Sequence, residues 1–193
     1  MVRLLSSTAV AVVALGLVVA PAAFAQQSHP NTGAAAPPAA AAKDTLSQHD
    51  KEFVKDAGMG GMAEVELSKM AEKSANPEVK QFAERMVKDH TAANTELTTL
   101  ATGLGIEVPK ALDTEHERIR ERLQRAHGDA FDRQYMHVMV EDHNKAVKLF
   151  HQEASSGRNP ELRQFAQKTL PTIEEHQRMA IDLSRRLSQT AAR

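Results

Sequence analysis

The sequence predicts an all-α protein, a four-helix bundle with a short charged connector helix between its second and third long helices. Three observations lead there. Apolar residues recur at helical spacing from Phe53 to Leu187, with no alternating stretch of the kind a strand would need. The start signal Asn-Pro-Glu occurs twice, at Asn76-Pro77-Glu78 and Asn159-Pro160-Glu161, each time at the head of such a stretch. Finally, Met86 to Ala93 (MVKDHTAA) and Met139 to Ala146 (MVEDHNKA) put the same Asp-His pair on two different helices.

The chain begins with an address rather than a folded element. Arg3 gives a thin positive start, residues 4–20 an apolar run, and Ala23-Phe24-Ala25 a small-residue cleavage site. Residues 1–25 are therefore read as an export signal, the mature chain as starting at Gln26, and the location as periplasmic. An uncleaved membrane anchor is the rival reading, but the run is at the short limit for a span and is mostly Ala and Val. No later segment could cross a bilayer, so the mature protein is expected to have no transmembrane span. Residues 26–43 are dominated by Ala, Pro, Gln and Ser; such a composition cannot bury enough apolar surface to order itself, and it reads as a tether. Residues 44–190 then form one domain of ordinary size.

Composition excludes several function classes. The chain has 24 Lys and Arg against 25 Asp and Glu, with only Arg3 of these in the leader, so it offers no basic footprint for nucleic acid. One Tyr and no Trp leave no stacking platform for single strands or sugars. There is no Cys, which removes disulfides and a lipid-modified N-terminal thiol alike. No Ser-His-Asp order, phosphate loop or dinucleotide fingerprint points to another enzyme class.

The helices follow in order. Phe53, Ala57, Gly60, Glu64, Leu67, Ala71 and Ser74 alternate steps of four and three, a buried seam with Glu64 at its middle. The second helix runs from Pro77 to about Leu104 and buries Val79, Phe82, Ala83, Met86, Val87, His90, Ala93, Leu97 and Leu100. Gly103 and Gly105 end it, and Pro109 is expected to open the charged connector reaching Ala126. After Gly128-Asp129 the third long helix buries Phe131, Tyr135, Val138, Met139, His143, Ala146, Val147 and Phe150. The fourth buries Leu162, Phe165, Ala166, Thr169, Leu170, Ile173, His176, Ala180, Leu183 and Leu187, with Pro171 expected to kink it.

Height along the bundle brings four polar residues together. Glu64 lies 12 residues before the first hairpin turn and His90 lies 14 after it, while His143 and His176 lie 15 and 18 residues from the turn near Arg158. At ~1.5 Å per residue these are one layer. Three imidazoles and a carboxylate suit a transition-metal ion such as zinc, copper or iron, so Glu64, His90, His143 and His176 are the candidate ligands. Asp89, Asp142 and Glu175, about 100° round the helix from each His, are candidates to orient a neighbouring imidazole. Met86, Met139 and Met179 share faces with the histidines and raise a mixed His/Met copper site, although gap-filling is the more ordinary role of Met. The competing reading of the layer is a hydrogen-bonded network that only fixes bundle register.

The segments Gly61 to Leu67 (GMAEVEL), Phe82-Ala83-x-x-Met86-Val87-x-Asp89-His90, Tyr135-x-x-x-Met139-Val140-x-x-His143 and Phe165-Ala166-x-x-x-Leu170-Pro171-x-x-x-x-His176 resemble the exported bacterial ferritin-like domains of unknown function, often labelled outer membrane proteins. The resemblance implies a ferritin-like bundle in the cell envelope. No β-barrel pattern accompanies it. Ferritin-like di-iron proteins use Glu-x-x-His pairs; here Val87, Val140 and Ile173 stand three before the histidines, which argues against a carboxylate-bridged di-iron centre. The expected function is therefore metal binding in metal handling or envelope stress protection. The alternatives are a metal-free structural or interaction protein and a metal-dependent oxidoreductase, with no particular protein partner indicated.

Overall fold

The computed structural model describes residues 46–191, and the expected leader and tether, residues 1–43, lie outside them. Five helices follow: α1 (Gln48–Ala71), α2 (Pro77–Leu104), α3 (Thr114–Arg125), α4 (Gly128–Ser156) and α5 (Pro160–Ala191). The fold is the expected all-α arrangement of four long helices with one short connector.

Local chemistry fixes the boundaries. Ser47 and Asp50 form a reciprocal capping box on α1. Asn76 Oδ1 accepts from the backbone N–H groups of Glu78 and Val79, and Asn159 Oδ1 accepts from those of Glu161 and Leu162, so the repeated Asn-Pro-Glu signal is one cap used twice. Gly105 closes α2 at φ 73°, a left-handed conformation that a side chain would strain. The connector starts later than Pro109. Asp113 caps it by accepting from His116 N–H at 2.8 Å, while Val108 lies against Gly58, where a Cβ would sit 2.6 Å from its Cγ1. The approach of the connecting segment to α1 thus delays helix formation until a capping side chain is available. Likewise Ser74 does not continue the α1 seam; it lies in the following turn and donates to Asp132 Oδ1 at 2.7 Å. The helix α5 continues through Pro171.

These contacts also set direction. Ser74 ties the end of α1 to the start of α4, and Asp50 Oδ1 accepts from the backbone of Arg158 and Asn159, tying the start of α1 to the α4–α5 turn. Hence α1 and α4 are antiparallel. Each hairpin packs on itself, α1 packs on α4 and α2 on α5, and α3 lies against α1 and α4 along the long crossover from α2.

The core has two apolar compartments. One contains Leu67, Phe82, Met86, Tyr135, Met139 and Leu183; the other contains Phe53, Leu97, Phe150, Leu162, Phe165 and Ile173. Glu64, His90, His143 and His176, at most 6% exposed, fall in sequence between the two sets on every long helix. A polar layer separates them.

Two tests follow from this packing. The buried rings of Phe82 and Phe165 are each 3% exposed, and Phe82→Ala and Phe165→Ala should each cost ~3–5 kcal/mol in chemical denaturation. The second concerns Glu153, fully buried beside His49 with Nε2 to Oε2 at 3.2 Å. Burial, reinforced by the Asp50 carboxylate, pushes its carboxyl up to about 7. A raised folded-state value means the stabilising difference is complete below the unfolded value near 4.5 and disappears as pH rises through about 7. Wild type should therefore lose on the order of 1–3 kcal/mol more than Glu153→Gln between pH 4.5 and 8, measured by urea unfolding.

Candidate metal centre

Each long helix contributes one side chain to the middle layer. Glu64 comes from α1, His90 from α2, His143 from α4 and His176 from α5. The three imidazole centroids form a triangle with sides 5.2, 5.5 and 5.7 Å, and one donor nitrogen from each ring lies within 4.8 Å of the other two. Among the described residues these three histidines are the one His/Asp/Glu group so arranged; Glu64 adjoins it without joining it.

Hydrogen bonding decides which nitrogens face inward. A carboxylate or carbonyl can only accept, so any neutral imidazole bonded to one must place its single N–H there. His143 Nδ1 donates to the Met139 carbonyl at 2.8 Å, which leaves Nε2 with its lone pair, buried and without a hydrogen-bond partner. His90 Nδ1 lies 2.9 Å from Glu64 Oε2, and His176 Nε2 lies 3.0 Å from Asp89 Oδ2. The remaining nitrogens, His90 Nε2 and His176 Nδ1, face each other at 3.2 Å. With both rings neutral, two lone pairs confront one another. Only a cation between or beside them, a proton or a metal ion, relieves that arrangement.

Charge is arranged around these rings. Burial alone would raise the Glu64 carboxyl, but the adjacent His90, His143 and His176 bring it down to about 2, so it remains an anion in the core. Burial opposes charge on His90, yet Glu64 and Asp89 outweigh it and raise its value. At His143 burial prevails and lowers it; at His176 burial, aided by the other two rings, lowers it to about 4. Two of the three imidazoles thus favour the neutral form that a metal requires.

The residues preceding each histidine divide. Asp89 orients His176 and is itself held by Arg85 Nε at 3.3 Å. Glu175 touches no imidazole; it accepts from Arg85 Nη2 at 2.7 Å and so steadies Asp89 indirectly. Asp142 also touches none: Oδ1 pairs with Lys145 at 3.3 Å and Oδ2 is buried without a hydrogen-bond partner. The one sequence signal for Arg85 is its place four residues before Asp89, a helical pairing distance. The Met139 carbonyl has no sequence signal at all. Met86 and Met139 are fully buried in the apolar compartment on one side of the layer, while Met179 receives an Arg85 N–H at 3.5 Å.

If these bonds orient the rings, long-range ¹H–¹⁵N NMR of metal-free protein will find neutral His143 protonated at Nδ1 and neutral His176 at Nε2. The reverse tautomers would contradict the bonds to the Met139 carbonyl and Asp89.

Known proteins share this architecture. The DUF305 fragment from Deinococcus radiodurans is 17% identical, with 73% of this chain and 98% of that chain covered and a TM-score of 0.64. CopM in its Cu(II)-bound form is 18% identical, with 71% and 96% covered and a TM-score of 0.61. At such identities the likeness establishes the fold. No curated protein matches. The family described as "Domain of unknown function (DUF4142)" matches residues 35–183, and the chain belongs to it.

Proposed function

We propose that this DUF4142 protein binds a single transition-metal ion, with His90 Nε2, His143 Nε2 and His176 Nδ1 as donors, and serves in metal handling or in protecting the cell envelope. The observation that carries this reading is the cluster of three buried histidines with one nitrogen of each within 4.8 Å of the other two, while ring nitrogens of all three are also committed to Glu64, the Met139 carbonyl and Asp89. The orphaned, buried His143 Nε2 is what a metal-free hydrogen-bond network fails to explain. The donor set fits copper, zinc or iron, and the copper borne by similarly folded CopM favours trying copper first. Glu64 is assigned to orienting His90 and balancing the ion's charge, with Asp89 doing the same for His176. We also assign residues 1–25 to an export signal, 26–43 to a tether and 44–190 to the bundle domain, which would place the metal-binding domain in the periplasm.

A second reading has one observation in its favour: a proton between His90 Nε2 and His176 Nδ1 at 3.2 Å could satisfy that pair without metal. The layer would then specify packing alone, in a structural or interaction protein. A metal-dependent oxidoreductase is a third, weaker reading, since three imidazoles without a bridging carboxylate make no di-iron shell.

Calorimetric titration with Zn²⁺, with Cu⁺ under reducing conditions and with Fe²⁺ without oxygen separates the readings. His90→Ala and His143→Ala should weaken the preferred metal by about 100-fold or more, Glu64→Gln by ~10–100-fold, and exposed His137→Ala not at all. Metal at ~100 times its Kd should add ~2.7 kcal/mol to wild-type stability. Binding no tighter than millimolar by all three ions would defeat the metal reading.

A further inference from the structure

The layer is not sealed on both sides. A cavity of about 550 Å³ reaches Glu64, His90 and His176 from the side of Phe150, Phe165 and Ile173. Its existence traces to a sequence feature. In the α1 seam, where a bundle would ordinarily carry a large aliphatic residue, Gly60 stands one turn before Glu64, and a Cβ built there meets nothing within 4 Å. Ala93 and Ala146, three residues after His90 and His143, line the same space and are equally short. Small residues from three helices thus leave room directly beside the imidazoles.

The walls differ in character. Phe150, Phe165, Ile173 and Leu149 provide an apolar side, whereas the floor is the imidazole layer and Asp142, with its unpartnered, buried Oδ2, also lines the space. The lining also carries charge of both signs, with Asp56, Asp113 and Glu115 as well as Lys145 and Lys148. An apolar side, polar groups beside the imidazoles and this volume are the attributes of a small-molecule site rather than of a packing defect. A bare ion needs no such room.

We propose that the cavity is a ligand chamber, taking a small organic molecule with a compact apolar body and an anionic, metal-binding head that completes the coordination of the ion held by the three histidines. The inference rests on the metal reading above and deepens it. Its head would meet the ion beside His90 and His176, the two histidines of the layer that line the space, while its body lies against Phe150, Phe165 and Ile173. Three protein donors with one position left for an exogenous group is the composition of an open rather than a structural metal site.

The test compares benzohydroxamate with acetohydroxamate, which share a head and differ in the body, on the full mature chain. Both are titrated calorimetrically into Zn²⁺-loaded and metal-free protein, with zinc content measured before and after. The chamber predicts at least tenfold tighter binding of benzohydroxamate to the loaded protein. Gly60→Leu, which enters open space, should abolish that preference while leaving Zn²⁺ affinity within about threefold. Equal affinity for the two probes, or an unchanged preference in Gly60→Leu, overturns the proposal. Failure of wild type to hold Zn²⁺, Cu⁺ or Fe²⁺ defeats the metal centre and the coordinating head with it. In that case the metal-free protein still judges the cavity by its preference for phenyl over methyl.

Discussion

Everything at the middle of this bundle depends on a carboxylate that remains charged inside the core. Glu64 is 3% exposed, and an isolated anion there would be costly enough to neutralise itself. It stays ionised because imidazoles from three other helices surround it, and His90 is its closest partner at 2.9 Å. That partnership orients the His90 ring, which fixes the direction of Nε2 toward His176. Asp89 and the Met139 carbonyl perform the same service for the other rings. The inward lone pairs are thus a result of where the outward N–H groups must go.

Much of this was legible in the sequence because it depends on periodicity and length. The seam through Phe53, Glu64 and Leu67 identifies the buried face of α1, and the two Asn-Pro-Glu caps supply fixed points from which height can be counted. The layer follows from those two facts. What stayed illegible depends on side-chain direction and on contacts between distant segments. Depth and face make Glu64 a candidate ligand, and whether its oxygens meet a metal or an imidazole N–H is decided by rotamer and by sub-ångström placement. The roles of Asp89 and Glu175 diverge for the same reason: Arg85 reaches both, so one carboxylate meets a ring and the other supports its neighbour. The start of α3 at Thr114 rather than Pro109 is not legible locally, because the packing of Val108 against Gly58 has no local signature.

The middle layer of this four-helix frame holds three imidazoles and one carboxylate, Glu64. Val87, Val140 and Ile173 occupy positions where a coordinating Glu would be expected, and Ile173 is 3% exposed in the apolar compartment. A layer with more nitrogen than oxygen donors would suit the metals that prefer imidazole.

The division of the core also bears on how the molecule comes apart. All four long helices cross the polar layer, but the side chains on its two sides pack into separate clusters, so cohesion across it rests on helix continuity and on the few bonds within the layer. Such a protein can open at one end without the other, as two partly independent cooperative units. An ion held at this waist by residues from α2, α4 and α5 would join them, making occupancy felt at both ends of the bundle, including the capped start of α1 to which residues 1–45 attach. A buried layer of imidazoles would then carry information about metal supply to an end of the molecule that never touches the ion.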